Sequence, residues 1–479
     1  MEQLPRIESG IAGLDILLKG GLVAGSSYII QGRPGSGKTI FASQIAFHHA
    51  SRGGRVLFAT LLSETHERLF QFLSTLSFFR RDRVGAEMQF VSAFDTLENE
   101  GLDEVVKLLR REISRQKASV MVVDGVLNAR SRAETQLDTK RFIAELQGHA
   151  AFAGCTVLFL TSARLDDGSP EHTMVDGVIE LGEELVGSRS LRRIHLRKTR
   201  GSGALAGLHE FEINSQGVVV YPRLETVWGQ IASQEPVSVA RESSGIPVMD
   251  EMLGGGLPPA SITLVLGPSG SGKTSLGLHF LSRCTPEEPG LLFGFYETPE
   301  RLCLKAANLG IDLRGLVASG AVEIIWQPAS QRSLDRLGHQ LLGAVERRKV
   351  RRVMIDSLSG MARAAARPDR LIDFYTALTN ELRERGVTTV STWEMRGLFG
   401  AEINAPAPEL SSLMDNLLML RFVEVEADVR RVLTILKVRD SDYDPSLRDV
   451  TITSDGILLK PSFEKMSMVL SGSPTKKGS

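Results

Sequence analysis

The chain has 479 residues, of which 42% are hydrophobic and 24% charged, and Lys+Arg 56 against Asp+Glu 57 leaves a net charge of −1. That length is too great for one core and suits two domains of about 200–250 residues each, mostly folded. The balanced charge excludes a global basic attraction to nucleic acid or to an anionic membrane, and the three cysteines, an odd count without a CxxC pair, argue against a redox or zinc role.

Read from the N-terminus, Met1-Glu2-Gln3-Leu4-Pro5-Arg6 has no signal-peptide character, and no apolar stretch reaches membrane-spanning length. A soluble, cytoplasmic protein is the expectation. The segment Ser9-Gly10-Ile11-Ala12-Gly13-Leu14-Asp15 leads through Gly20-Gly21-Leu22 into an apolar run at 27–31. The loop Gly32-Arg33-Pro34-Gly35-Ser36-Gly37-Lys38-Thr39 follows, and a helical pattern comes after it. This strand–loop–helix context turns a G-x-x-x-x-G-K-[ST] match into a phosphate cradle. The backbone N–H groups around Gly32, Gly35, Ser36 and Gly37 curl about phosphates, and the helix N-terminus adds partial positive charge. Lys38 is placed to reach the β/γ-phosphates, and Thr39 to ligate Mg²⁺.

Further along, strands are expected at 55–60 and 120–124, with amphipathic helices between and a further strand at 157–160. Cys155 falls in this last apolar run and reads as a buried small hydrophobe. Two strand-like segments close the half. After a weakly patterned stretch at 222–244, read as a linker, the whole arrangement recurs. Ser244-Gly245-Ile246-Pro247-Val248-Met249-Asp250 echoes the lead-in, and Gly267-Pro268-Ser269-Gly270-Ser271-Gly272-Lys273-Thr274 repeats the loop 235 residues on (267 − 32). Gly267, Gly270, Ser271, Gly272, Lys273 and Thr274 take the same roles. Strands alternating with helices predict an α/β fold of two tandem units, each a mainly parallel sheet covered by helices. The expected domains are 1–230 and 231–465, with 466–479 a flexible tail.

Each half also carries an apolar run ending in aspartate, four residues long in Val120-Met121-Val122-Val123-Asp124 and three in Arg352-Val353-Met354-Ile355-Asp356. At the C-terminal end of a parallel strand, Asp124 and Asp356 face the loop and suit Mg²⁺ held through water; capping the next turn is the alternative. Glu64 and Glu297 end the strand after each loop helix, where a carboxylate orients the attacking water or caps the following helix. Late in each half come Lys198-Thr199-Arg200 and Lys437-Val438-Arg439. In a ring such cations stabilise charge in a neighbour's site; otherwise they are solvated strand ends.

On these residues the chain resembles the KaiC family, double-domain RecA-like P-loop ATPases of bacterial circadian clocks and their bacterial and archaeal homologues. The resemblance covers nearly the whole length. It includes the lead-in, both loops, the glutamates, the aspartates, the K-x-R segments and the tail Ser471-Gly472-Ser473-Pro474-Thr475. It implies ATP and Mg²⁺ as ligands and a homohexameric double ring with sites at subunit interfaces. Lys198, Arg200, Lys437 and Arg439 then act in trans, and a KaiB-like protein is a possible partner. It further implies serine/threonine autophosphorylation, with Ser411 and Ser412 at the acceptor positions; as an alternative these hydroxyls cap the following segment. The sequence departs from the family at Ser63 and Tyr296, where tandem glutamates are expected. A phenol, with a reference pKa of about 10, does not replace a carboxylate base at neutral pH.

Two other functions fit less of the chain. A DNA-dependent RecA-like ATPase is disfavoured by the charge balance, by 6% aromatic residues and by the lack of an added DNA-binding module. Arg192-Arg193, Arg347-Arg348-Lys349 and Arg351-Arg352 read as solvated faces. A nucleotide-binding scaffold with negligible turnover is the other alternative.

Overall fold

The computed structural model describes residues 4–63, 65–126, 136–162, 170–229, 240–328, 333–395, 410–425, 428–439 and 441–461. The chain divides into two compact units, Met1–Val227 and Trp228–Ser479. The expected tail motif at 471–475 lies outside the described residues.

In the first unit β1 (Arg6–Ile7) and β2 (Leu22–Val23) form a small antiparallel pair. The other strands are β3 (Ser27–Gln31), β4 (Val56–Thr60), β5 (Met88–Ser92), β6 (Val120–Asp124), β7 (Thr156–Thr161), β8 (Gly177–Val186), β9 (Arg189–Thr199), β10 (Leu208–Asn214) and β11 (Gly217–Tyr221). They make one nine-stranded sheet in the order β11-β10-β9-β8-β3-β7-β6-β4-β5. Strands β8, β3, β7, β6, β4 and β5 run parallel; β9, β10 and β11 add antiparallel. The parallel strands read as unbroken apolar runs because both faces are covered. Successive residues point to opposite faces, so Ile30, Phe58, Val122 and Leu158 join one core with Phe41 and Ile45 of the loop helix. Ile29, Leu57, Met121 and Phe159 join the other, with Leu109, Phe142 and Leu146.

The second unit repeats this plan. Its strands are β12 (Ile262–Gly267), β13 (Gly290–Gly294), β14 (Val322–Trp326), β15 (Arg352–Asp356), β16 (Thr388–Glu394), β17 (Asn416–Val425), β18 (Asp428–Val438), β19 (Arg448–Thr453) and β20 (Gly456–Pro461). Their order is β14-β13-β15-β16-β12-β17-β18-β19-β20. Val265, Leu292, Met354 and Val390 pack with Leu276 and Phe280 of the second loop helix. Two tandem α/β units with mostly parallel sheets are therefore the architecture that the sequence leads one to expect.

The lead-in acquires a structural reason. The Asp15 carboxylate accepts the Ser9 amide at 3.0 Å, and Asp250 accepts the Ser244 amide at 2.7 Å, closing the same turn in both halves. Three details differ from the sequence reading. Each half ends in four strands rather than two, since the strands of the long hairpins β8–β9 and β17–β18 bury only part of each face and read weakly. The segment 222–244 contains a helix, Leu224–Trp228, anchored by the fully buried Leu224.

The third difference is that several arginines expected on solvated faces are engaged. Arg193 is buried between Glu210 (3.2 Å) and Glu184 (3.5 Å), and Arg348 pairs with Glu323 at 3.5 Å. Arg352 is also buried; it donates to the Ser243 carbonyl at 2.7 Å and pairs with Glu242 at 3.4 Å. Long side chains reach partners that sequence proximity does not reveal. Cys155 is buried, as expected, and burial pushes its thiol up to about 12. Among the described residues, no helix is long and apolar enough to cross a membrane, and no cluster of His, Cys, Asp and Glu suits a metal.

Candidate functional site

Each P-loop opens where the central parallel strand ends. Gly37 and Gly272 hold φ of 97° and 104° immediately before Lys38 and Lys273 begin their helices. Only glycine adopts this conformation without strain, and it aims the loop's N–H groups inward. Lys38 Nζ donates to the carbonyls of Gly32 (2.9 Å) and Arg33 (3.0 Å), folding back across the loop. Lys273 Nζ does the same to Gly267 (2.9 Å) and Pro268 (2.7 Å). Burial lowers the pKa of both ammoniums, opposed by Asp124 in the first half and by Glu394 and Asp356 in the second. A polyanion is the ligand that relieves this desolvation.

Thr39 Oγ1 donates to Asp124 Oδ2 at 2.9 Å, and Thr274 Oγ1 to Asp356 Oδ2 at 2.8 Å. A hydroxyl and a carboxylate so placed beside the loop form an oxygen donor set suited to a hard cation such as Mg²⁺. Ser36 Oγ and Ser271 Oγ are buried without a hydrogen-bond partner in either loop. The fit to a nucleotide triphosphate with its cation is thus the same in both halves.

Sequence reasoning missed one contributor. Arg192 of β9 donates to the carbonyls of Gly35 and Ser36, both at 3.4 Å, and Arg431 of β18 donates to Gly270 O at 3.2 Å. Each loop tip is therefore tied to a strand more than a hundred residues away. The recurrence of a basic residue six positions before each K-x-R lysine (198 − 192; 437 − 431) was the available signal.

In the second half the loop borders a cavity of about 540 Å³, lined also by Tyr296, Glu297, Lys305, Thr392 and Glu394. Glu297 is ion-paired with Lys305, and the Arg363 guanidinium lies 5.5 Å from the centre of the Tyr296 ring. Glu64, its expected counterpart in the first half, lies outside the described residues. Cavities of similar size, 470 and 600 Å³, occur elsewhere in this unit and contain no loop residue.

The K-x-R residues are not near their own loops. Lys198 donates to the carbonyls of His172 (2.7 Å), Thr173 (3.2 Å) and Val175 (2.6 Å), and Arg200 to Thr173 O at 3.2 Å. Lys437 donates to Ser411 O (3.3 Å) and Met414 O (2.7 Å), and Arg439 to Ser412 O at 3.0 Å while pairing with Asp415 at 3.0 Å. Asp415 in turn accepts from the amide of Ile262 at 2.9 Å, at the start of β12. The P-loop leaves the other end of that strand, five residues and roughly 16 Å away. Ser411, Ser412, Lys437 and Arg439 thus share one end of the sheet and the loop takes the opposite end. Burial, and then the neighbouring Arg439, lower the Lys437 pKa; burial and Arg200 do the same for Lys198.

The family model of the ATPase KaiC matches residues 7–225 and, a second time, 242–464. The chain is similar to the circadian clock oscillator protein KaiC of Picosynechococcus sp., 27% identical over 488 residues that span 98% of this chain and 92% of the relative. It is similar to circadian clock oscillator protein KaiC 1 of Synechocystis sp. at 27% identity, over 98% and 92% of the two chains. The KaiC of Parathermosynechococcus lividus is 26% identical, over 99% of this chain and 88% of the relative.

Proposed function

The chain belongs to the KaiC ATPase family, and from that premise we propose that it binds and hydrolyses ATP at both P-loops and acts as a ring-forming, clock-type or signalling switch. The observation that carries this reading is the duplicated constellation of a loop-capping lysine with a threonine–aspartate pair at 2.9 Å and 2.8 Å. Lys38 and Lys273 bind the β/γ-phosphates, and the loop amides with Ser36 and Ser271 bind the remaining phosphate oxygens. Thr39 with Asp124, and Thr274 with Asp356, hold Mg²⁺. When bound, Mg²⁺ neutralises charge on the phosphate oxygens. A carboxylate at the strand ends orients the attacking water: Glu64 in the first half, and in the second either Glu297 or Glu394.

Lys198, Arg200, Lys437 and Arg439 serve a neighbouring subunit's site. Their place at the far end of the sheet from their own loop supports a trans role in a closed ring of subunits, for which the family resemblance implies a homohexamer. Ser411 and Ser412 lie at the same end, so a phosphoryl group reaching them comes from a neighbour's ATP. Any autokinase activity belongs to the second half, because Thr173 is the lone hydroxyl residue at the corresponding place in the first. A KaiB-like protein is the kind of partner that reads the ring's state; nucleic acid is not required.

The test is incubation of the full chain with Mg²⁺-ATP, following ADP release and intact mass in one tube. Lys38→Ala and Lys273→Ala should each abolish part of the ADP release. Added phosphate mapped to Ser411 or Ser412 establishes the autokinase. A chain that releases no ADP is a scaffold, and the reading is then wrong.

A further inference from the structure

We propose that Glu394, rather than Glu297, supplies the carboxylate that orients and deprotonates the attacking water in the second half. The inference rests on the ATPase reading of this site.

Glu394 is the last residue of β16, the strand inserted between β12, which carries the loop, and β15, which carries Asp356. The register sets Glu394 directly beside Gly267, the first loop residue. Its side chain is exposed and lines the cavity shared by Lys273, Thr274 and Asp356. Of the charges acting on Lys273, Glu394 exerts the largest effect, ahead of Asp356. Among the described residues Glu394 makes no hydrogen bond and no ion pair, so its oxygens are open to a water molecule. Glu297 borders the same cavity but is committed: its carboxylate already takes the Lys305 ammonium. Tyr296, the neighbouring wall residue, offers a phenol in place of a carboxylate.

The arrangement is peculiar to this half. Asp124 pairs in register with Leu160, whereas Asp356 is bonded by Thr392 at the matching position. Two residues further on, the first half therefore has Ser162 where the second has Glu394. Eight residues after Glu64 stands Phe72 where Lys305 follows Glu297. At these two positions the first half thus has neither a carboxylate nor a lysine.

In the step itself, the water oxygen bonds to the γ-phosphorus as the bond from that phosphorus to the bridging oxygen breaks. ADP leaves with the bridging oxygen, inorganic phosphate forms, and the proton lost by water passes to Glu394 and then to bulk solvent. Lys305, its charge balanced by Glu297, stays in the cavity wall.

The experiment compares steady-state ADP release by the full chain and its Lys273→Ala variant; the difference is second-half turnover. Glu394→Gln, isosteric and exposed, should cut that difference to about a tenth or less, with a fluorescent ATP analogue retained as tightly as before. Glu297→Gln should leave at least about half of it. An unchanged difference in Glu394→Gln, or a collapse in Glu297→Gln alone, overturns the assignment while leaving the ATPase reading in place. A full chain that releases no more ADP than Lys273→Ala overturns both.

Discussion

The hydroxyl of Thr392 donates to Oδ1 of Asp356 at 2.6 Å, on the oxygen opposite the one that Thr274 bonds at 2.8 Å. One carboxylate is thus fixed from both sides, with Thr392 supplied by β16 and Thr274 by the loop helix. In the first half the register places Leu160 beside Asp124, so that residue gives Asp124 no corresponding hydroxyl.

Removing the second hydroxyl should loosen the carboxylate without unfolding the unit. A hydrogen bond to a carboxylate is worth about 1.5 kcal/mol, so Thr392→Val should raise the Mg²⁺ concentration for half-maximal second-half ADP release by about tenfold. The Mg²⁺ dependence of Lys273→Ala, which reports the first half, should not move. An unaltered Mg²⁺ titration in Thr392→Val means that Thr274 alone orients Asp356.

The K-x-R residues can be tested by mixing chains. Lys437→Ala should reduce second-half turnover by about 10²-fold if its charge serves a neighbour's transition state. Lys273→Ala is equally inactive in that half. Mixed and allowed to exchange subunits, the two variants should recover part of the activity, since an intact loop can then face an intact Lys437. Mixtures no more active than their components would assign Lys437 to holding the Ser411–Met414 carbonyls and nothing further.

Burial lowers the pKa of Lys38 and Lys273 below the ordinary 10.5, and the sign of the pH effect follows. Between each depressed native value and 10.5 the unfolded chain holds more protons, so this contribution to stability rises with pH across that window. Binding a polyanion restores the charge, so ATP binding at alkaline pH should take up protons. Calorimetry in two buffers of different ionisation enthalpy measures the uptake directly. It should shrink in Lys38→Ala and again in Lys38→Ala/Lys273→Ala; equal heats in both buffers would contradict the burial argument.

The first loop residue tolerates no side chain. A Cβ on Gly32 would lie 2.2 Å from the Leu181 carbonyl oxygen, and one on Gly267 would lie 2.8 Å from that of Leu420. Both contacts are to backbone of the adjacent strand, so the loop itself must shift. Gly32→Ala should weaken ATP binding in the first half by at least about tenfold and lower the melting temperature, with Gly267→Ala milder. Equal affinities in wild type and Gly32→Ala would mean that β8 gives way in place of the loop.

Much of this site was legible in the chain. The glycine spacing of the two loops, the apolar runs ending in Asp124 and Asp356, and the repeated S-G-I-x-x-x-D lead-in are local patterns, each with a local physical cause. The reach of Arg192 and Arg431 to the loop tips was not legible. Neither was the capture of Glu297 by Lys305, nor the convergence of Lys437 and Arg439 on the helix that carries Ser411 and Ser412.

What the sequence determined by itself is the duplicated parallel α/β plan and the two glycine-spaced loops, each ending in a lysine and a threonine. Strand period, glycine conformation and helix termini all act over a few neighbouring residues. Only the tertiary structure decided which carboxylate at the second loop stands open and which is bound, and which end of the sheet carries the basic pairs. Those outcomes depend on strand order and register, which bring residues such as Gly267 and Glu394 side by side although 127 positions separate them (394 − 267).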